Sequence, residues 1–242
     1  MAPHLPETTP VVGIPGTLCS PSIFAPLEHA LASDTAFDGI DWMTGTGPWD
    51  LASVADRIAT GIPRSAPAVV VGHSTGGAIA LQLALDHPDA LAGLVLVDTG
   101  AHMNDHGDVG AIIDALRENW GPELWASVLD RSFAEPLPRD ARAGFLEYAA
   151  STPRQSALDV LTSQRATDCT SRLRRLTIPV AVVHGRLDPT RTLAQATAFA
   201  GGFPDASLTL LDCGHTPVFE RPTETAAVVR GVIAAARERA RL

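Results

Sequence analysis

The stretch from Ala68 to Pro88 limits what this 242-residue chain can fold into more than any other. It reads Ala-Val-Val-Val-Gly-His-Ser-Thr-Gly-Gly-Ala-Ile-Ala-Leu-Gln-Leu-Ala-Leu-Asp-His-Pro. Val69 to Val71 are β-branched and bounded by Gly72, the pattern of a strand buried on both faces. Ala78 to Leu85 is apolar all round and rich in helix formers, so it predicts a buried helix. Between them lies Ser74, inside Gly-x-Ser-x-Gly. Gly72, Gly76 and Gly77 remove side chains where strand and helix must come close. A serine on such a strained strand-to-helix turn holds its hydroxyl clear of the sheet, within reach of a base and a substrate. The five-residue pattern recurs by chance, and a plain turn with an incidental serine is the bland reading. The surrounding strand and helix make Ser74 a candidate nucleophile instead.

The rest of the chain continues that strand–helix alternation. Pro10 to Ile14, Phe37 to Met43 and Leu91 to Val97 are apolar runs that predict strands. Phe24 to Leu31 predicts a helix. So does Leu51 to Ile62, whose apolar residues recur at helical spacing between an N-cap at Asp50 and a stop at Pro63. The order β, α, β, α, β, α, β implies a parallel sheet with helices on both faces. Such sheets bind ligands at the carboxyl ends of their strands, where Gly16, Ser74 and Asp98 fall. From Ala101 to about Arg175 no strand pattern appears. Val109 to Trp120, Glu123 to Phe133, Arg139 to Ala150 and Pro153 to Ala166 each read as helical. This predicts an α/β core formed by residues 1–103 and 176–242, with a helical cap inserted at 104–175. Pro179 to His184 and Ser207 to Leu211 resume the strands, with helices at Leu193 to Gly201 and Glu224 to Arg241.

Charge and composition exclude some functions. The formal net charge is -9, which argues against a nucleic-acid or anionic-membrane surface. Hydrophobic residues at 45% and charged residues at 19% suit a soluble globular domain with a sizeable core. No run approaches the ~18 apolar residues of a membrane span, and the first ten residues lack the apolar segment of a signal peptide. Cys19, Cys169 and Cys213 are an odd set with no metal-like spacing, which favours reduced thiols and a cytoplasmic location. The expected partner is a small-molecule substrate, with neither nucleic acid nor membrane.

A serine nucleophile needs a base, and the base needs an orienting carboxylate. Of the eight histidines, His215 is placed for it. It follows the last strand in a glycine-rich loop, and the chain order Ser, Asp, His goes with a Gly-x-Ser-x-Gly elbow. Asp188 lies between them, after the preceding strand. Asp98, which ends the strand beside the nucleophile's, competes for the same role. His73 reads as a core residue beside Ser74, and His184 as a strand end beneath a turn. His4 lies in the N-terminal tail. His102-x-x-x-His106, with Asp105 and Asp108, has metal-ligand spacing for a helix. The glycines around it make a loop the better reading, so no metal site is expected. Cys19 reads as a buried inert thiol. The cap aromatics Trp120, Trp125, Phe133, Phe145 and Tyr148 read mainly as packing between helices, and Arg172, Arg174 and Arg175 as a solvated face.

The chain resembles the α/β-hydrolase superfamily. The matching pieces are Pro15 to Cys19, Gly72 to Gly77, His184 to Pro189 and Cys213 to Pro222. The resemblance covers nearly the whole chain, with the cap matched only in its helical character. It implies a mostly parallel sheet, without the family's early antiparallel strands. It also implies a catalytic triad of Ser74, Asp188 and His215, with the acid at Asp98 in some members. The oxyanion hole falls to the backbone N–H groups of Thr75 and Thr17, Leu18 being the alternative to Thr17. Where the family usually has His-Gly, this chain has Pro15-Gly16. The implied chemistry is acyl transfer without a cofactor, on a carboxylic ester or lactone of a small to medium, fairly apolar substrate. Thioester or carbon–carbon cleavage, a non-hydrolytic reaction at His215, and a binding module on the same scaffold stay open.

Overall fold

The computed structural model of the chain describes residues 9–31, 35–104 and 106–241. Most of the N-terminal tail, with His4, and Asp105 lie outside the described residues. Six strands form one sheet: β1 (Val11–Ile14), β2 (Phe37–Gly39), β3 (Ala68–His73), β4 (Leu91–Val97), β5 (Val180–Gly185) and β6 (Ala206–Leu211). Their order is β2-β1-β3-β4-β5-β6, and every pairing is parallel. Among the described residues no strand precedes β1.

The central strands are apolar at consecutive positions because each face meets helices. Val12, Ile14, Val70, Leu94, Leu96 and Val182 point to one face. There they join buried residues of α2 (Leu51–Gly61), α3 (Thr75–Asp86) and α8 (Leu193–Gly201). Val11, Val69, Val71, Val95, Val97 and Val183 point to the other. That face is covered by α1 (Ala25–Leu31) and α10 (Pro222–Arg239). The alternation follows from the two-residue period of a strand.

Between β4 and β5 the chain forms α4 (Val109–Glu118), α5 (Pro122–Arg131), α6 (Arg139–Ser151) and α7 (Arg154–Ala166). α4 packs on α7 and α5 on α6, while α7 also touches α2 and α3. The turn after α5 is tied to the loop that carries His215. Thr216 donates its hydroxyl to the Ser132 carbonyl at 2.8 Å, and Glu220 in α9 (Pro217–Glu220) accepts from the Ala134 N–H at 3.0 Å.

One strand is shorter than its apolar run suggested. Phe37 to Met43 predicts seven strand residues, but pairing stops at Gly39. Asp41 accepts hydrogen bonds from the backbone N–H groups of Met43 and Thr44 at 3.2 Å each, folding the chain into a turn. Trp42 and Met43 then turn inward and brace the loop after β1. Trp42 Nε1 donates to the Pro15 carbonyl at 2.9 Å, and the Leu18 N–H points at Met43 Sδ at 3.1 Å.

Candidate active site

The carboxyl edge of the sheet collects the candidate residues. Ser74 stands between β3 and α3 with φ 53° and ψ -121°, a conformation L-residues rarely adopt. Its N–H continues the ladder to the Val97 carbonyl at 2.9 Å. The close approach that makes this elbow possible rests on Gly76, where a Cβ would lie 2.0 Å from the Ile14 carbonyl oxygen. Gly185 does the same for the other half of the site. A Cβ there would lie 1.8 Å from the Gly214 carbonyl oxygen, so β5 and the His215 loop touch backbone to backbone.

Ser74, His215 and Asp188 form a continuous hydrogen-bonded line. The Ser74 hydroxyl donates to His215 Nε2 at 2.9 Å, and His215 Nδ1–H donates to Asp188 Oδ2 at 2.8 Å. The carboxylate accepts only, which places the proton on Nδ1 and leaves Nε2 as the acceptor. Thr190 completes the carboxylate's shell, its N–H and its hydroxyl each donating to Asp188 Oδ1 at 2.7 Å. The Thr190 oxygen also lies 3.1 Å from His215 Nδ1. The structure therefore brings together the three residues singled out in the sequence, and adds Thr190, which no motif marked.

Asp98 is close by but engaged elsewhere. Its Oδ1 accepts the Gly185 N–H at 3.0 Å and lies 2.7 Å from His184 Nδ1, with both side chains buried. His184, read from the sequence only as a strand end, is thus the partner of the rival acid. The two carboxyl groups are driven apart electrostatically. Burial pushes Asp98 up to about 6, against the hydrogen bond of His184. Burial pushes Asp188 up too, but the hydrogen bond and charge of His215 and the two donors of Thr190 hold it well below the usual carboxylate range. For His215, burial alone would lower the pKa. The hydrogen bond and charge of Asp188 override that and raise it above the ordinary histidine value.

His73 packs beside the site, its ring 5.3 Å from that of His215. Its Nε2–H donates to the His215 carbonyl at 2.8 Å, so the residue before Ser74 also pins the backbone of His215. Burial and the neighbouring His215 hold its pKa down at about 3, which keeps it neutral. Asp98, His184 and Asp188 bring one donor atom each within 4.8 Å of one another, a set that could hold a metal ion. His184 Nδ1 and Asp98 Oδ1 already face each other at 2.7 Å and Asp188 Oδ2 accepts from His215, so an ion there would compete with His215 for Asp188. His102 and His106 lie outside any helix, so their spacing does not place them on one face.

The loop after β1 supplies the other side. The Thr17 hydroxyl donates to Thr75 Oγ1 at 2.9 Å, joining the two loops named for the oxyanion. The Leu18 N–H is turned away to Met43, and the Cys19 N–H returns to the Gly16 carbonyl at 3.1 Å. Burial pushes the Cys19 thiol up to about 12, so it is inert as a nucleophile. Above Ser74 lies a cavity of about 140 Å³. Its walls include Leu18 and Met103 from the core loops, and Ile112, Leu116, Val128 and Leu161 from α4, α5 and α7.

Comparison with known proteins agrees with this architecture. The chain is 30% identical over 185 residues to a pimeloyl-[acyl-carrier protein] methyl ester esterase of Aromatoleum aromaticum, covering 69% of this chain and 74% of that protein. It is 30% identical over 206 residues to lipase LipV of Mycobacterium tuberculosis, covering 76% of each. Among solved structures, an esterase from Thermogutta terrifontis superposes with a TM-score of 0.82 at 20% identity, covering 96% of this chain and 92% of that one. An enol-lactonase from Burkholderia xenovorans superposes with a TM-score of 0.81 at 20% identity, covering 95% and 92%. These last two share the fold. The model of the alpha/beta hydrolase family matches residues 11–228, from the first strand to the middle of the closing helix, and the chain belongs to that family.

Proposed function

We propose that the protein is a serine hydrolase that cleaves a carboxylic ester or lactone through an acyl-enzyme. The observation that carries this reading is the line of hydrogen bonds from Ser74 Oγ through His215 to Asp188, at 2.9 and 2.8 Å. Neutral His215 takes the Ser74 proton on Nε2 as Oγ attacks the carbonyl carbon. Asp188 holds the ring in the working tautomer and stabilises its charged form. The developing oxyanion is met by the N–H groups of Thr75 and Thr17. Thr75 opens α3, so its N–H has no acceptor within the helix. Such donors are worth roughly 3–4 kcal/mol each to the transition state. His215 then gives its proton to the leaving oxygen, and the same residue draws a proton from water as it attacks the acyl-enzyme.

The helices of residues 104–175 act in this reading as a cap, since they furnish much of the apolar wall over Ser74. That wall suits a small to medium substrate with an apolar body. Esterase and lipase relatives at 30% identity make ester hydrolysis the first activity to test. Among the described residues no helix is long and apolar enough to cross a membrane. Three free thiols suit a reducing compartment, and the reading extends to a cytoplasmic enzyme.

A fluorophosphonate probe tests the nucleophile directly. Wild-type protein is expected to take one label and the Ser74→Ala variant none. Equal labelling of the variant would remove Ser74 from the mechanism. Rates on matched esters, lactones and thioesters then rank the substrate classes.

A further inference from the structure

One buried cation that acyl transfer does not use, Arg191, lines the cavity above Ser74 and also a second cavity walled by Gly100 and His102. Arg191 follows Asp188 by three residues and is only 8% exposed. Its guanidinium carries five N–H donors. Among the described residues its hydrogen bonding amounts to Nη2 donating to the His102 carbonyl at 3.0 Å. No carboxylate oxygen of the described residues forms an ion pair with it within 4.0 Å. Asp188 is engaged by His215 and Thr190, and Asp98 Oδ1 by Gly185 and His184, so the two carboxylates act on Arg191 through their charge without a direct ion pair, and Asp98 Oδ2 keeps no hydrogen-bond partner among the described residues. A guanidinium taken out of water without an ion pair is a costly feature. The chain makes room for it: a Cβ on Gly100 would lie 2.5 Å from Arg191 Nη1.

A second set of observations points the same way. Thr99 Oγ1, His106 Nδ1 and Gln164 Oε1 are enclosed and have no hydrogen-bond partner among the described residues, as do His73 Nδ1 and Asp98 Oδ2 nearer the Ser74 end. All five residues line the cavity above Ser74 with Arg191. Buried polar atoms are nearly always paired. A group of orphans beside a cation without a direct ion pair, in a cavity whose apolar wall comes from Leu18, Met103, Ile112, Leu116, Val128 and Leu161, marks a place for a polar part of a ligand. The sign of the charge makes that part an anion. The size selects among anions: a cavity near ~150 Å³ holds a molecule of about benzene's size. A planar carboxylate fits one guanidinium fork with two parallel hydrogen bonds. Arg131, the second arginine of the lining, is exposed and draws anions toward the cavity without being desolvated.

We propose that the cavity takes esters or lactones that also bear a carboxylate, such as half-esters of short dicarboxylic acids, with that carboxylate held by Arg191 while the ester carbonyl meets Ser74. This rests on the reading of Ser74 as the nucleophile of an ester hydrolase. It refines the apolar substrate of that reading into one with an apolar body and an anionic end.

The test compares monomethyl succinate with methyl isocaproate, in which an isopropyl group replaces the carboxylate at nearly equal shape. For the wild-type enzyme kcat/KM is expected to favour the half-ester by at least about tenfold, the size of one charge-assisted hydrogen bond, and mainly through KM. In Arg191→Met the ratio is expected to fall below one, and in Arg191→Lys to lie between. If Arg191→Met does not fold, inhibition of the wild-type enzyme by succinate but not by succinamide supports the inference, and equal inhibition by the two overturns it. A wild-type ratio at or below one overturns it as well, as does a ratio that Arg191→Met leaves in place. The two readings fail differently. Ser74-dependent cleavage of the neutral ester with no preference sinks only the role of Arg191. Protein that cleaves neither ester and takes no fluorophosphonate label sinks the hydrolase reading itself.

Discussion

Replacing Asp188 by asparagine isolates what the acid does for His215. The Asp188 Oδ1 site receives two donors, the N–H and the hydroxyl of Thr190, each at 2.7 Å. An asparagine must put its carbonyl oxygen there, because its amide nitrogen would meet two donors. Its NH₂ then occupies the Oδ2 position, 2.8 Å from His215 Nδ1. Nδ1 is forced to accept, so the ring proton moves to Nε2. Nε2, 2.9 Å from Ser74 Oγ, becomes a donor and can no longer take the serine proton. The fold is left nearly untouched, yet the base is in the wrong tautomer. A comparable change in a serine protease lowers kcat roughly ten-thousand-fold, about 5 kcal/mol of barrier, and a loss of that order is expected here. Asp98→Asn is the matched control. An amide oxygen at Asp98 can keep the Gly185 N–H and the His184 contact, so its loss should stay below about tenfold, the effect of one neutral hydrogen bond. Initial rates on p-nitrophenyl butyrate, with far-UV circular dichroism to check folding, decide between them. If Asp98→Asn loses activity by orders of magnitude while Asp188→Asn keeps it, the assignment of the acid and the tautomer argument both fall.

Two further predictions use the same geometry. The acid limb of kcat/KM should lie above the ordinary histidine value of about 6.5, because His215 must be neutral to act and its pKa is raised. Activity falls as pH drops through that limb. Asp188→Ala should move the limb to lower pH in the residual activity, since burial is then opposed only by the charge of Asp98. A limb that does not move would show that Asp188 does not set the charge of His215. Gly185→Ala should lower stability by about 1–3 kcal/mol and kcat/KM by on the order of a hundredfold. The added Cβ, 1.8 Å from the Gly214 carbonyl oxygen, must displace the loop that carries His215. Thermal unfolding and esterase rates measure both, and a variant with wild-type rates would mean this close approach does not position the base.

Much of this architecture was legible in the sequence because it rests on local rules. Val69 to Val71 and Leu94 to Val97 read as strands since burial on both faces leaves an unbroken apolar run, and α2 showed its buried stripe at Leu51, Val54, Ala55 and Ile58. Ser74 stood out because the elbow demands glycines at fixed offsets. What was hidden depends on pairs far apart in the chain. Thr190 looks like an ordinary turn residue until Asp188 is seen to fold back on it. His184 and Asp98 find each other only through the β4–β5 pairing. His73 bonds the carbonyl of His215, 142 residues away. Trp42 and Met43 misled for a related reason. They are apolar and buried, as a strand would require, but they are buried to brace the Pro15–Leu18 loop, which no periodicity records.

The backbone itself carries part of the site. Leu18, Ser74 and Asp98 have φ of 63°, 53° and 44° and are the non-glycine residues of positive φ among those described. They follow β1, β3 and β4, three adjacent strands of the sheet. Strain of this kind costs on the order of 1–3 kcal/mol per residue and persists only where the surroundings over-determine it. Here they do. The Ser74 N–H is held by the Val97 carbonyl, the Asp98 N–H by the Val183 carbonyl at 3.0 Å, and the Leu18 N–H by Met43. Each strained residue is therefore fixed by a neighbour outside its own strand and loop. The nucleophile's turn depends on β4, and the Asp98 turn depends on β5, which also delivers Asp188. A change that loosens the β4–β5 pairing should thus disturb the nucleophile and the acid together. This is why a sheet of short parallel strands can hold its carboxyl-edge loops in register tightly enough to keep Ser74 Oγ 2.9 Å from His215 Nε2.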